Sequence, residues 1–113
     1  MARTRWHILQ DDNSFTLCRH LPPRFDFAVH TVLPCGGAIR LAHQIRQDLW
    51  RALQKVRGFS PVVRLQRIAD GWRIEAGGRV AGPVALPVVA RAQAVLDDAG
   101  NRARWIKASG GRS

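Results

Sequence analysis

The sequence predicts an α+β fold, a two-layer sandwich in which an antiparallel sheet carries two helices on one face. Three observations predict it. The run from Ala38 to Arg57 repeats its apolar residues at helical spacing, and Asp70-Gly71 joins two apolar-rich runs. From Phe25 onward the elements follow in the order β-α-β-β-α-β, which is the ferredoxin-like arrangement. An N-terminal β-hairpin precedes that unit.

Arg5 to Gln10 and Phe15 to Leu21 are short apolar-rich runs on either side of Asp11-Asp12-Asn13-Ser14. Four turn-forming residues in that position read as a hairpin loop. Pro22-Pro23 stops the second run. Phe25, Phe27, Val29, Thr31 and Leu33 then alternate with Asp26, Ala28, His30 and Val32, as a strand with one apolar face does. Pro34-Cys35-Gly36-Gly37 ends it.

In the next run Ala38, Leu41, Ala42, Ile45, Leu49, Ala52, Leu53 and Val56 form one stripe at about 100° per residue. Arg40, Gln44, Gln47, Arg51 and Gln54 gather opposite. Gly58 stands where a left-handed residue closes a helix. Val62–Ala69 and Trp72–Ala76 flank Asp70-Gly71, a strong hairpin signal because both residues tolerate positive φ. Gly77-Gly78 is expected to close the second of these strands. A second helix begins near Pro87, buries Val88, Val89, Ala92, Val95, Leu96 and Ala99, and ends at Gly100. Ala103 to Ala108 is expected to be the last strand.

The chain has 113 residues, enough for one domain spanning 1–113, with 1–4 and 109–113 expected to be loose. Its charge is the unusual property. Eighteen Lys and Arg oppose eight Asp and Glu, a formal net charge of +10, and sixteen of the cations are Arg. A field of that sign draws phosphate backbones and acidic proteins, and the guanidinium fork suits phosphate. The same excess is what a GC-rich codon bias writes. The N-terminus lacks the apolar segment of a signal peptide, and no run approaches the roughly 20 apolar residues of a membrane span. Cys18 and Cys35 then read as reduced thiols, and the expected compartment is the cytoplasm.

Chemical motifs are sparse. Cys35 before the long helix has the position of an activated thiol, but a nucleophile needs a base and an orienting group that the sequence does not supply. The amides of Gly36 and Gly37 at that helix start form a candidate anion site. Cys18 and His20 have no second close pair of ligands, so no metal is expected. Asp11-Asp12 lies in a turn, and Asp97-Asp98 falls in what reads as the last turn of a helix, the unfavourable end for the dipole. Arg57-Gly58-Phe59 resembles three residues of the RNA-recognition motif. The run continues Ser60-Pro61-Val62-Val63-Arg64 without its further stacking aromatics, and the chain is not assigned to that family.

What remains is the arginine pattern. Arg64 and Arg73 face away from the apolar side of their strands, Arg40 and Arg51 share the outer face of the long helix, and Arg104 and Lys107 lie near the end. These six are the candidate nucleic-acid contacts, with Trp6 or Trp105 placed to stack a base. The expectation is a non-enzymatic binding module without cofactor, engaging RNA ahead of DNA, and no membrane. The alternative is a homodimer or a module that binds an acidic protein. It rests on whether Phe25, Phe27, Trp72 and Ile74 leave an apolar sheet face uncovered.

Overall fold

In the computed structural model, which describes residues 6–110, the elements are β1 (His7–Gln10), β2 (Ser14–Cys18), β3 (Phe27–Leu33), α1 (Ala38–Leu53), β4 (Ser60–Ile68), β5 (Gly71–Arg79), α2 (Leu86–Asp97) and α3 (Ala99–Ala108). The strands form one antiparallel sheet in the order β1-β2-β4-β5-β3. The class is α+β, as expected. The ferredoxin-like order is not: three helices accompany the sheet, and β3 is an edge strand.

The difference originates at Asp98. Its carboxylate accepts the N–H of Asn101 at 2.8 Å, capping α3 where the sequence suggested the close of α2. The acid therefore sits at the favourable end of a helix dipole. Gly100 lies in the first turn of α3 instead of ending a helix. Arg102, Trp105, Ile106 and Ser109 recur at helical spacing, and Trp105 is wholly buried. Ala103–Ala108 is therefore helical, and no fourth core strand forms there. Instead Gln93 of α2 donates to the His30 carbonyl at 3.1 Å, and Arg102 of α3 donates to the Val32 carbonyl at 2.7 Å. Side-chain donors occupy an edge that would otherwise be open to pairing.

Strand alternation divides the sheet into two faces. Leu17, Val63, Ala76 and Val29 form one cross-strand row, and Phe15, Leu65, Ile74 and Thr31 the next. The apolar members share a core with Leu41, Ile45, Leu49 and Leu53 of α1, Ala92 and Leu96 of α2, and Trp105 of α3. The other face carries the row Leu9, Thr16, Arg64, Glu75, His30 and the row Ser14, Gln66, Arg73, Val32.

The β4–β5 hairpin pairs from Ser60–Arg79 to Ile68–Gly71, longer at both ends than expected. Its loop is Ala69-Asp70, and only Gly71 takes a positive φ, +145°. The reason is tertiary: a Cβ on Gly71 would lie 2.1 Å from the Leu33 carbonyl oxygen. Gly77 and Gly78 pair on both sides within β5 and do not close it. The long helix ends at Leu53, four residues short of Arg57, and is closed by Gln54 in the right-handed region; Gly58, with φ +71°, belongs to the turn that follows and does not cap it.

At the termini, residues 1–4 lie outside the described part, as do 111–113. Ser109, expected in a loose tail, is buried, and its carbonyl accepts the Gly37 N–H at 2.9 Å. Among the described residues no helix is long and apolar enough to cross a membrane.

Candidate functional site

Between β2 and β3 the chain crosses the sheet on its polar face. Ser60 and Arg79, both on that face by register, hold the crossing segment 19–26: His20 Nδ1 lies 2.9 Å from the Ser60 hydroxyl, and Arg79 donates to the Pro22 carbonyl at 3.1 Å. Asp26 fastens the far end. Its carboxylate accepts the Val80 N–H at 2.9 Å and pairs with Arg24, and these contacts, the Val80 bond foremost, hold it below the usual carboxylate range. Beneath the crossing, Cys18 and Val62 are buried although they point away from the helices. Phe25 belongs to this segment and not to β3, which starts at Phe27.

One end of the polar face is thus covered and the other is open. Where they meet lies a cleft of about 430 Å³, with Leu9, Pro23 and Phe25 as apolar walls and Thr16, Gln10 and Arg64 among its polar groups. Asp11 closes its rim. The Asp11 carboxylate accepts the N–H groups of Asn13 at 3.0 Å and Ser14 at 2.9 Å, which fixes the β1–β2 turn. The Asn13 bond is the main reason its pKa is lowered, and the field of Arg64 adds to it. A second depression of about 180 Å³ adjoins at Arg64 and is lined also by Gln66, Arg73, His30 and Glu75. His30 Nε2 stands 3.3 Å from Glu75, an exposed contact. Arg73 is the diagonal neighbour of Arg64 across β4–β5, about 7–8 Å away along the backbone by ordinary sheet spacing. Neither arginine makes an ion pair with a described residue.

The six predicted basic residues do not converge. Arg64 and Arg73 share the polar face. Arg40 and Arg51 lie on α1, in the other layer, with Arg51 3.9 Å from Asp48. Arg104 donates to Asp48 at 2.9 Å, so it is engaged inside the helical layer. Lys107 is exposed on α3 and does not lie in the sheet. The proposed stacking residues are elsewhere too. Trp105 is in the core, and Trp6 lies under the Arg46 guanidinium, 4.7 Å from its ring centre. At Gly36 and Gly37 the chain is committed to packing: the Gly37 N–H goes to Ser109, and the Gly36 carbonyl accepts the Trp72 indole N–H at 2.9 Å.

Of the four residues on which an apolar sheet face depended, Phe27, Trp72 and Ile74 are buried, while Phe25 lines the cleft. Cys18 is buried, which raises its thiol pKa and keeps it protonated. Among the described residues no group of three or more His, Cys, Asp or Glu is placed to hold a metal.

Phe25, Thr16 and Gln66 are absent from the sequence-derived site. The alternation of Thr16 between Phe15 and Leu17, and of Gln66 between Leu65 and Arg67, puts both on the polar face. Nothing local announces that the segment 19–26 folds over it. Comparison with known proteins yields no matching family model, and no significant match among curated proteins or solved structures.

Proposed function

We propose that the chain is a non-enzymatic binding module that docks the phosphate backbone of a nucleic acid, RNA ahead of DNA, on the polar face of its sheet. One observation carries this reading: Arg64 and Arg73 stand as diagonal neighbours on the face opposite the helical core, neither within ion-pair distance of an acid among the described residues, in a chain of charge +10. An unpaired guanidinium can give both of its parallel N–H donors to a phosphate without breaking an existing ion pair. The test is filter binding of RNA across a salt titration. Retention at about 50 mM salt is expected, with log affinity falling against log salt by about 0.7 for each single-strand phosphate neutralised. Replacing both residues (Arg64→Gln, Arg73→Gln) should flatten that slope by about 1.4, two such contacts. Absence of retention at low salt, or a double variant that binds as the parent does, overturns the reading.

A second reading has its own observation. Whereas β3 is protected by Gln93 and Arg102, no described strand pairs with the outer edge of β1, where Ile8 and Leu9 are each about two-fifths exposed. A single available edge favours a closed pair of copies over a filament. Sedimentation should then show a dimer that Ile8→Lys dissociates. A parent chain that sediments as a monomer removes this reading.

A further inference from the structure

The cleft between the β1–β2 hairpin and the crossing segment has a composition that phosphate binding alone does not explain. A surface for phosphates needs cations and amides, yet three of the eight residues lining this cleft are Leu9, Pro23 and Phe25. Among the four phenylalanines, Phe15 meets Trp72 edge-on at 5.8 Å, and Phe27 and Phe59 stack at 6.0 Å. Phe25 has no ring partner among the described residues. It is half-buried and sits in a loop, and its ring helps to wall a cleft instead of filling the core. An aromatic ring beside an unpaired arginine is what a nucleobase and its own phosphate require together.

We infer that this cleft takes one unpaired base, stacked on Phe25, with the adjoining phosphate on Arg64 and the next on Arg73. The ligand is therefore single-stranded nucleic acid. This rests on the docking function proposed above and narrows it. Within a duplex a base has both faces stacked and its edge paired, so it cannot enter without being extruded. A single strand presents its bases at far lower cost. Thr16 and Gln10 offer hydrogen-bonding groups to a base edge. The acids set the direction of the strand. Asp11 at the cleft rim repels a phosphate from that end, and Glu75, opposite Arg64 and 3.3 Å from His30, borders the line from Arg64 to Arg73 on its His30 side.

Fluorescence anisotropy on the full chain decides the matter, with a labelled single-stranded RNA and its duplex of equal length as probes at low salt. The single strand should bind more tightly than the duplex. Phe25→Ala should weaken single-strand binding about 5- to 150-fold, the range for loss of one stacked base, while leaving the salt slope and the duplex affinity unchanged. Phe25→Leu, which keeps the apolar volume, should weaken single-strand binding too, and Phe25→Trp should preserve it, so a folding defect in the alanine variant does not decide the outcome. Equal affinity for duplex and single strand, or leucine and alanine variants that bind the single strand as the parent does, overturns the inference and leaves the docking function standing. If neither probe binds, both fall together.

Discussion

His43 lies on α1, where two effects oppose its protonation. Burial lowers its pKa first and the Arg46 guanidinium second. Arg46 NH2 stands 3.4 Å from His43 Nδ1, a contact that requires the ring to accept and therefore to be neutral. The Trp6 ring meets His43 edge-on at 6.4 Å and lies under Arg46, so the three groups form one unit joining α1 to the residue that leads into β1. The folded pKa is below the unfolded value of 6.5. The unfolded chain then binds more protons in that range, so this contribution is intact above pH 6.5 and is lost as pH falls through the folded pKa. The expected outcome is a lower Tm at about pH 5 than at pH 7, with His43→Gln reducing the difference. A parent Tm unchanged over that interval would show that the contact with Arg46 is not maintained in solution. Gly71 makes an independent case. With φ at +145° and the Leu33 carbonyl where its Cβ would go, Gly71→Ala should cost on the order of 2–4 kcal/mol in urea unfolding, strain and overlap together. A loss under about 0.5 kcal/mol, the level of an ordinary surface substitution, would mean the hairpin end shifts freely.

Between elements, the contact of α1 with α3 turns on Asp48. One of its oxygens accepts the Trp105 indole N–H at 2.6 Å and the Arg104 guanidinium at 2.9 Å. Trp105 is fully buried, so removing the acceptor strands an indole N–H out of reach of water. Asp48→Ala should therefore destabilise by about 1–3 kcal/mol, and Asp48→Asn, which keeps an acceptor oxygen, by less. Chemical denaturation that ranks the two variants equally would refute the indole's dependence on that oxygen. The same helix shows where local pattern suffices and where it fails. α1 and the β4–β5 hairpin are legible because a repeated apolar period and a Gly at the turn are local properties. α3 is misread because Trp105 and Ile106 between small residues look like a strand, and Gly100 looks like a stop. The Asp98 cap and the spacing of Arg102, Trp105 and Ser109 are the competing signals, and the core decides for them. At the site, alternation places Arg64 and Arg73 correctly on the polar face. It cannot say that Arg40, Arg51, Arg104 and Lys107 belong to the other layer, because a period gives a face and not the neighbour it meets. Phe25 is illegible for a related reason: its place in the cleft depends on the segment 19–26 passing over β4 and β5 on its way from β2 to β3.

At the scale of the whole molecule the cations outnumber acids on a body only 39 × 30 × 27 Å across, with Arg64 and Arg73 on one layer and Arg40, Arg51 and Lys107 on the other. At about 0.01 M salt the screening length is roughly 30 Å, so the charges of both layers repel through the entire fold. At about 0.15 M it is roughly 8 Å, and repulsion is confined to near neighbours. Unfolding spreads the same charges apart, so the low-salt folded state carries the larger electrostatic penalty. Tm should consequently rise as sodium chloride is raised from about 0.01 to 0.15 M. A bound polyanion should act in the opposite sense with salt. An oligonucleotide on Arg64 and Arg73 neutralises part of the field and adds binding energy to the folded state alone, raising Tm most at low salt and progressively less as salt displaces it. The two salt responses therefore converge, and a thermal melt with and without oligonucleotide measures both. If Tm without oligonucleotide is flat or falls with salt, ion pairs such as Arg24–Asp26 and Arg104–Asp48 outweigh the net repulsion. The positive charge would then not be a destabilising load that a polyanion relieves.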